Sequence, residues 1–514
     1  MRFILVLTFY VLLAHPNTSS ANLDTKTLEQ TVARALSTFY TPGMSVAIVQ
    51  NGELIYSNGF GFANLATETK VNDKTYFRLA STSKAFTSAA LAILVEQEKL
   101  QWTDLVIDHM PEFRLKNAHA TMHFTVADLL THKSGLIGGA GDSMIWPEPS
   151  GFTRDEVIHN LRHLTPSSDF RQQFAYSNVL YITAGELVAK VSGLSFEDFV
   201  EQNVFAPLGM DCYAGKVPEK ASAIGAMGYA HSDDRGIYSV PRNAITTEGL
   251  MSAAAGGMVC NAHNMAKWIK ALLAREQLPF SEKSLEQMWA PHTILRVAKI
   301  EREWQGTHSK NYGLGWRTRN IKGYQQISHT GTLSGYQAYI ALLPELDVGV
   351  IVLNNGSNYG ARASVMNAIM EMYTSDTQSD WVDRYIGYQA EREAIYLANN
   401  KTPVAKAPLA LPSDKILGLY EDVWFGQFSI TESENTLRID FPRKLHLSGT
   451  LEGFQDFSYK VVFDNQNASG NAFIHFDLDT ESNVRSARLY PFTSRKTNNH
   501  AWRDMHFMKR NKAQ

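Results

Sequence analysis

Residues 79–98 read LASTSKAFTSAALAILVEQE. From residue 82 onward, Ala, Leu and Lys recur at helical spacing, which predicts a largely buried helix over 82–98. Ser81 and Lys84 stand three residues apart at its start, so their side chains share one face of the helix. A lysine whose pKa is lowered by burial can activate a serine hydroxyl, and an N–H in the first helical turn is free to stabilise an oxyanion. The segment therefore predicts a nucleophile beside its base, although the same spacing also occurs in ordinary surface helices.

Two further motifs follow in chain order. Tyr176-Ser-Asn178 precedes a predicted helix, and His329-Thr-Gly331 ends a predicted strand. The ordered set S-x-x-K, Y-x-N and K/H-T-G is the signature of the penicillin-recognising serine hydrolases. The chain resembles that superfamily, and within it the class C β-lactamase-like branch, which includes serine esterases, D-amino-acid peptidases and DD-peptidases. The resemblance extends over roughly residues 28–375, where four accessory motifs agree with it: Leu129-Leu-Thr-His-Lys-Ser-Gly-Leu136, Phe205-Ala-Pro-Leu-Gly-Met210, Ala255-Gly-Gly-Met258 and Tyr312-Gly-Leu-Gly-Trp316.

Two partial copies of these motifs are rejected by their place in the chain. Tyr56-Ser-Asn58 precedes Ser81 and falls in a predicted hairpin. Lys133-Ser-Gly135 precedes Tyr176 and belongs to one of the accessory motifs.

The resemblance implies a role for each catalytic residue. Ser81 is the nucleophile that becomes acylated, and Lys84 and Tyr176 share the proton transfers, with the identity of the acylation base left open. Asn178 bonds Lys84 and the substrate. The backbone N–H groups of Ser81 and Thr332 form the oxyanion hole. No metal or organic cofactor is implied.

The third motif departs from the β-lactamase pattern. His329, Thr330 and Gly331 are the expected substrate-binding residues, but β-lactamases carry lysine where His329 stands. Histidine with an ordinary pKa near 6.5 is mostly neutral at pH 7, so the fixed charge that binds a β-lactam carboxylate is missing. This favours esters, amides or D-amino-acid peptides and does not exclude a DD-peptidase, so the expected substrate is a carboxylic ester, a D-amino-acid peptide or a peptidoglycan stem peptide. A penicillin-binding DD-peptidase, a weak β-lactamase and a catalytically inactive binding or assembly protein of the same fold are the alternatives.

The predicted elements indicate an α/β, or α+β, fold like that of β-lactamases and transpeptidases. Residues 44–50 and 53–57 flank Asn51-Gly52, a strong hairpin signal. Helical stretches such as 179–191 and 262–274 fill the middle of the chain, and predicted strands return at 326–329, 336–343 and 348–353. We therefore expect one antiparallel sheet built from both ends of the domain and flanked by helices, with an all-helical lobe inserted between them.

Another pattern begins near residue 411. Residues 361–373 predict a closing helix, and residues 376–410 are a partly helical segment and linker that ends near Pro403 and Pro408. From 411 to 514, short alternating strands predict a small antiparallel β barrel that resembles the lipocalin-like domains appended to some members of the superfamily. Its aromatic residues Trp424, Phe425 and Trp502 are expected in the barrel core rather than in a ligand cavity. The main domain then spans 22–375.

Composition limits the function classes. The 514 residues are 44% apolar and 19% charged, with a formal net charge of −3, which fits a soluble globular protein and gives no electrostatic support for nucleic-acid binding. Met1-Arg2 and the apolar run at 3–14 predict a signal peptide over 1–21, cleaved after Ala21. We expect an exported protein, periplasmic or secreted, without a membrane span after cleavage. Its partner would be a small ester, amide or peptide substrate, and the oligomeric state is left open.

The chain has two cysteines, and one pair of its histidines has a spacing that could suit a metal ion. Cys212 and Cys260 could form one disulfide or remain two buried thiols, and sequence separation favours neither; the thiols are the default expectation. His159 and His163 are four residues apart but lack the glutamate of H-E-x-x-H, so we expect an ordinary helix surface rather than a metal site.

Overall fold

The computed structural model describes residues 23–465, 471–492 and 502–510. The predicted signal peptide over 1–21 lies outside the described residues. The strands of the larger domain, in chain order, are β1 (Gly43–Gln50), β2 (Glu53–Asn64), β3 (Thr69–Lys70), β4 (Phe77–Arg78), β5 (Tyr229–Ser232), β6 (Gly236–Ser239), β7 (Val259–Cys260), β8 (Thr293–Ile294), β9 (Lys310–Tyr312), β10 (Arg317–Ile321), β11 (Tyr324–Leu333), β12 (Tyr336–Leu343) and β13 (Val348–Asn354).

Helices separate these strands and extend beyond them. The α-helices are α1 (Thr25–Thr38), α2 (Lys84–Glu96), α3 (Val106–His109), α4 (Ala118–His123), α5 (Val126–Thr131), α6 (Asp142–Ile145), α7 (Arg154–Asn160), α8 (Asn178–Ser192), α9 (Phe196–Val200), α10 (Glu219–Ala223), α11 (Ala262–Ala274), α12 (Glu282–Trp289), α13 (Lys299–Gln305), α14 (Tyr359–Thr374), α15 (Trp381–Asn399) and α16 (Ser413–Ile416). Short 3-10 turns cover Ala80–Ser83, Leu161–His163, Pro241–Asn243, Pro344–Leu346 and Leu445–Leu447, and π-type turns cover Glu201–Phe205 and Ala253–Gly257.

The main sheet is antiparallel and has nine strands, in the order β3-β2-β1-β13-β12-β11-β10-β9-β8. β1 pairs with β13, so the sheet is built from both ends of the domain, as predicted. β1 and β2 form the predicted hairpin. Its turn residues Asn51 and Gly52 have φ values of 52° and 73°, the left-handed conformation that a two-residue hairpin turn requires.

The central strands are buried on both faces. In β1, Met44, Val46 and Ile48 pack with α1, α14 and α15, whereas Ala47 and Val49 pack toward the helical lobe. Successive side chains of a strand point to opposite faces, so burial on both sides explains why these strands are continuously apolar. The helical lobe is inserted between β4 and β8, as predicted, but it also carries the short strands β5, β6 and β7 and so is not all-helical. Its helices α2 and α8 are buried along almost all of their length.

The C-terminal region forms a closed antiparallel barrel of eight strands. The strands are β14 (Gly418–Asp422), β15 (Gly426–Ser433), β16 (Thr436–Asp440), β17 (Gly449–Gln455), β18 (Ser458–Phe463), β19 (Ala472–Leu478), β20 (Val484–Pro491) and β21 (Phe507–Lys509). Trp424, Phe425 and Trp502 are buried with the other apolar residues, in agreement with the expectation that they are core residues.

The barrel packs against the helical lobe through the loop between β16 and β17. Gly151 and Arg443 exchange two hydrogen bonds, from the Gly151 N–H to the Arg443 carbonyl (3.1 Å) and from the Arg443 guanidinium to the Gly151 carbonyl (3.0 Å). Arg443 also pairs with Glu156 at 2.6 Å. The Asn160 amide donates to the Trp424 carbonyl at 3.0 Å. The two domains therefore share a specific polar interface.

The expectation of two free thiols is wrong, because Cys212 and Cys260 form a disulfide. The adjacent residues Tyr213 and Val259 exchange two backbone hydrogen bonds, of 2.9 and 2.8 Å, which hold the two segments side by side. The Cα atoms of the cysteines are consequently 4.6 Å apart, within the range that a disulfide spans. This bridge between segments 48 residues apart has no local signal in the sequence.

Among the described residues, no single helix is long and apolar enough to cross a bilayer; α8 and the following Phe196–Phe205 reach that length and apolar composition only together, and they are bent by 78°. In the same residues, no group of three or more His, Cys, Asp or Glu side chains is arranged to hold a metal ion. The rings of His159 and His163 are 6.4 Å apart.

Candidate active site

The predicted nucleophile lies on a tight turn between β4 and α2. Ala80 has a φ of 48°, in the left-handed region that non-glycine residues rarely adopt. The helix predicted over 82–98 begins instead as a 3-10 turn at Ala80–Ser83, followed by α2. Ser81 is half-buried in this turn, and its Oγ is 3.3 Å from Nζ of Lys84. The predicted neighbourhood of the serine and the lysine is therefore present in the structure.

Lys84 is fully buried at the start of α2. Its Nζ is 2.8 Å from Oδ1 of Asn178 and 2.6 Å from the carbonyl oxygen of Ala255. The Asn178 orientation is set by its Nδ2, which donates to the Asp142 carboxylate at 2.9 Å. Both close neighbours of the Lys84 amine are thus carbonyl oxygens, which can only accept hydrogen bonds.

Burial lowers the pKa of Lys84 well below its usual value, because desolvation penalises the charged amine. The nearby positive charge of Arg317 lowers this pKa further, and the negative charge of Asp142 opposes both effects. An unprotonated amine has two N–H groups and one lone pair. If the amine is unprotonated, Asn178 and Ala255 accept its two N–H groups and the lone pair remains for the Ser81 hydroxyl.

Tyr176 lies over the same amine, with its ring centroid 4.7 Å from Nζ of Lys84. The Tyr176 hydroxyl is buried, and desolvation raises the pKa of Tyr176 above its usual range. The proximity of the Ser81 hydroxyl lowers this pKa by a smaller amount. Among the described residues the Tyr176 hydroxyl makes no hydrogen bond of normal geometry. Tyr176 is consequently a neutral phenol at physiological pH, able to donate its proton.

His132 holds the loop that carries Tyr176. It is fully buried, its Nδ1 accepts the backbone N–H of Ser177 at 3.0 Å, and its ring lies 4.2 Å from that of Tyr176. Burial lowers the pKa of His132 well below 6.5, so the ring is neutral. His132 belongs to the accessory motif at 129–136 but was not singled out from the sequence.

His329 lies on β11 and is fully buried. Its Nε2 is 3.0 Å from the Tyr312 hydroxyl, and its Nδ1 is 2.9 Å from the carbonyl oxygen of Thr330. Desolvation, together with the charges of Arg317 and Lys84, lowers the pKa of His329 well below 6.5. The neutral state expected from its ordinary pKa is therefore strengthened by the structure.

A fixed positive charge is nevertheless present beside His329. Arg317, at the start of β10, has its guanidinium carbon 5.7 Å from the Tyr176 ring centroid and 5.5 Å from that of Tyr312. Its Nη1 is buried without a hydrogen-bond partner in the described part of the chain. Arg317 was not identified from the sequence, although it directly follows the Tyr312–Trp316 motif. The loss of lysine at position 329 thus does not leave the site without a cation.

Gly331 brings β11 against the nucleophile turn. A Cβ atom at this position would lie 2.4 Å from the Leu79 carbonyl oxygen, 2.9 Å from Cβ of Ala80 and 3.1 Å from the Ser81 nitrogen. Only glycine allows this approach. Gly331, the residue before Thr332, therefore lies against the backbone of Ser81. Ser81 and Thr332 are the pair from which the oxyanion hole is predicted.

A cavity of about 350 Å³ adjoins these residues. Its lining includes Asp142, Asn178 and Thr332 with residues from the loops around them: Trp146, Pro147, Arg242, Asn243, Leu333 and Ser334. Thr330 instead lines a second cavity, of about 260 Å³, and its role in substrate binding stays a prediction. A larger cavity of about 570 Å³ near Arg154 contains none of the motif residues.

Asp142 is a third residue of the site that was not identified from the sequence. Burial raises the pKa of its carboxyl to about 6, while the hydrogen bond from Asn178 and the nearby Lys84 act in the opposite direction. Asp142 lies 36 residues before Asn178, at the start of the short helix α6, and no motif includes it. Only the folded chain brings it to Asn178.

Comparison with known proteins agrees with this geometry. The family described as Beta-lactamase matches residues 28–371. This chain belongs to the Beta-lactamase family. Residues 402–506 of this family member match a domain of unknown function, DUF3471, which corresponds to the barrel region.

Individual relatives share less than a third of their aligned residues with this chain. The chain is 29% identical over 444 residues to the unguisins hydrolase ungD′ of Aspergillus campestris, covering 80% of this chain and 79% of that protein. It is 25% identical over 343 residues to the protein flp of Staphylococcus aureus, covering 66% and 64%. An octameric penicillin-binding protein homologue from Pyrococcus abyssi has a similar fold, with a TM-score of 0.61 and 22% identity over 95% of this chain and all of that one.

Proposed function

We propose that this β-lactamase-family member is an exported serine hydrolase that cleaves an ester or amide bond through an acyl-enzyme on Ser81. The observation that carries the proposal is the buried Lys84 amine, whose Nζ is 3.3 Å from Oγ of Ser81 and whose pKa is lowered by burial. The name of one relative, a hydrolase of unguisins, agrees with hydrolysis as the reaction class.

Acylation begins when Oγ of Ser81 attacks the substrate carbonyl and its proton passes to Nζ of Lys84. The negative charge that develops on the carbonyl oxygen is held by the backbone N–H groups of Ser81 and Thr332. When the bond to the leaving group breaks, the Tyr176 hydroxyl donates its proton to that group and is reprotonated from Lys84. Lys84 is then neutral again.

Deacylation repeats these transfers with water. A water molecule takes the place of the leaving group, and its oxygen attacks the acyl carbonyl. The water gives its proton to the Tyr176 oxygen as the Tyr176 hydroxyl proton passes to Nζ of Lys84. The bond to Ser81 breaks, and Oγ of Ser81 recovers a proton from Lys84. The products are a carboxylic acid and the free enzyme.

Arg317 narrows the substrate class within this proposal. Its unpartnered guanidinium nitrogen is buried beside Tyr176 and His329, and an anionic group of the substrate would satisfy it. We therefore favour esters or amides that carry a carboxylate close to the scissile bond, such as D-amino-acid peptides or peptidoglycan stem peptides, over neutral esters.

Intact-mass spectrometry tests the acyl-enzyme. The mature protein and the Ser81→Ala variant are incubated with a fluorophosphonate and, separately, with a penicillin. We expect a phosphonyl adduct on the wild type and none on Ser81→Ala, with little change in the melting temperature because a cleft serine contributes little to packing. Ser83→Ala, which removes a buried hydroxyl two residues away, is the matched control and should still be labelled.

The outcomes separate the alternatives. A persistent penicillin adduct would favour a DD-peptidase-like site, whereas hydrolysis of small esters without such an adduct would favour an esterase or D-amino-acid hydrolase. A wild type that is not phosphonylated, or an equally labelled Ser81→Ala variant, would contradict the proposal and leave a binding protein. N-terminal sequencing of the secreted or periplasmic protein tests cleavage after Ala21.

A further inference from the structure

Arg362 on α14 reaches β11 from the side opposite the nucleophile turn. Its guanidinium donates to three oxygens: the carbonyl of Gly331, the carbonyl of Ala338 on β12 at 3.1 Å, and Oγ1 of Thr332 at 3.0 Å. The side chain is buried, with 7% of the residue exposed. All three acceptors belong to the strand pair that carries the predicted oxyanion donor.

This charge has no counterion. Within the described residues, no carboxylate forms an ion pair with Arg362, whereas Arg319 in the lining of the same 260 Å³ cavity pairs with Glu301 at 3.3 Å. Burial lowers the pKa of Arg362 to about 10, so it is still protonated at neutral pH. An unpaired buried charge is costly for folding, so stability alone does not account for a guanidinium at this position.

The carbonyl of Gly331 and the N–H of Thr332 are the two ends of one peptide group. This peptide is trans, so its N–H points away from the carbonyl that Arg362 contacts. A cation hydrogen-bonded to the carbonyl withdraws electrons from the peptide nitrogen and makes the N–H a stronger donor, because linked hydrogen bonds polarise one another. The contact with Oγ1 of Thr332 also fixes where that peptide lies.

We propose that Arg362 is a positioning residue for the oxyanion hole: it orients and polarises the Gly331–Thr332 peptide whose N–H stabilises the tetrahedral intermediate. The inference rests on the proposed serine hydrolase function. Because the effect acts on charge that appears only in the transition state, it concerns kcat rather than substrate binding.

Steady-state kinetics of Arg362 variants on a 4-nitrophenyl ester test this role. For Arg362→Met we expect kcat to fall about 30-fold, or about 2 kcal/mol at 1.36 kcal/mol per tenfold. KM and the pH midpoints of the rate profile should stay unchanged, because Lys84 is not contacted. Arg362→Lys, which retains the charge but has fewer donors, should recover part of the loss. The matched control is Arg319→Met, which removes the neighbouring arginine without touching the Gly331–Thr332 peptide and should retain wild-type kcat.

Chemical rescue gives a second measurement. Arg362→Ala enlarges the cavity that Arg362 lines, and millimolar guanidinium chloride should restore kcat several-fold there while leaving the wild type unaffected. If the Ala and Met variants do not fold, Thr332→Val removes only the hydroxyl that holds one arm of the guanidinium, and kcat should fall a few-fold.

Three results would overturn the proposal: an unchanged kcat in folded Arg362 variants, a loss in Arg319→Met equal to that in Arg362→Met, or a rise in KM with kcat unchanged. Failure of the proposed function is recognised separately, because Ser81→Ala would then retain activity or the wild type would fail to react with the fluorophosphonate. An enzyme that needs Ser81 but not Arg362 contradicts this inference alone.

Discussion

Replacing Gly331 with alanine tests the contact on which the oxyanion hole depends. The added Cβ atom would lie 2.4 Å from the Leu79 carbonyl oxygen and 2.9 Å from Cβ of Ala80. Ordinary contacts between such atoms are about 3.5 Å, so β11 must withdraw from the nucleophile turn by about 1 Å. The φ of Gly331 is outside the left-handed region, so this steric contact is the reason for glycine.

The withdrawal separates the N–H of Thr332 from that of Ser81. A misplacement of about 1 Å costs about 10²-fold in rate, and the complete loss of one oxyanion donor costs about 10²–10³-fold. We expect kcat/KM of Gly331→Ala for a 4-nitrophenyl ester to fall within this range, with loss chiefly in kcat. The assay pairs ester hydrolysis with circular dichroism to verify the fold.

Gly387→Ala is the matched control, because a Cβ atom there meets nothing within 4 Å. This exposed glycine lies within α15, where alanine should stabilise the helix by about 0.5–1 kcal/mol and leave activity unchanged. A folded Gly331→Ala variant with kcat/KM within threefold of the wild type would refute the assignment of the Thr332 N–H to the oxyanion hole.

Four further predictions concern pH and the disulfide. The charge of Asp142 raises the pKa of Lys84, so Asp142→Asn should move the acidic limb of the kcat/KM profile to lower pH; a limb at the wild-type position would contradict this coupling. The pKa of Asp142 is raised to about 6, so the folded state binds this proton more tightly than the unfolded chain does. The contribution of Asp142 to the free energy of unfolding therefore falls as pH rises from about 4 to 6. In urea titrations, Asp142→Asn should lack this decrease. Burial lowers the pKa of Lys444 from 10.5 to about 7, so unfolding takes up a proton between pH 7 and 10.5 and the free energy of unfolding should rise with pH over that range. Lys444→Met should remove this rise. A rise that persists in the variant would show that another group causes it. Opening the Cys212–Cys260 disulfide, which closes a loop over a separation of 48 residues, should cost up to about 4 kcal/mol, measured as the change in urea midpoint of Cys212→Ser; an unchanged midpoint would show that the bridge does not form in solution.

Much of the fold follows from local patterns. The hairpin around Asn51-Gly52, the five central strands of the main sheet and the change to short alternating strands beyond residue 411 were predicted from contiguous sequence, whereas the outer strands β3, β8, β9 and β10 were not. Each pattern reports which face of a short element is buried, and the structure agrees closely: the helix predicted over 262–274 spans Ala262–Ala274. The start of α2 differs because the left-handed Ala80 and the tight turn at Ser81 depend on β11 packing against them.

Burial also changes the chemistry of residues that were found by motif. A lowered pKa was expected for Lys84, but the extent of the lowering depends on desolvation by α8 and the Ala253–Gly257 turn, and on the balance between Asp142 and Arg317. None of these partners lies within 50 residues of Lys84 in the chain. The disulfide likewise depends on segments that are distant in the chain, and two free thiols had been expected from the sequence.

The three motifs, their order and the two-part architecture could be predicted from the sequence, because spacing and periodicity are properties of contiguous residues. That Asp142, His132, Arg317 and Arg362 surround these motifs is visible only in the folded chain. Their roles arise from distances across the fold and from the exclusion of water. These distances and the exclusion of water result from how distant segments pack, and neither produces a periodic pattern in the sequence.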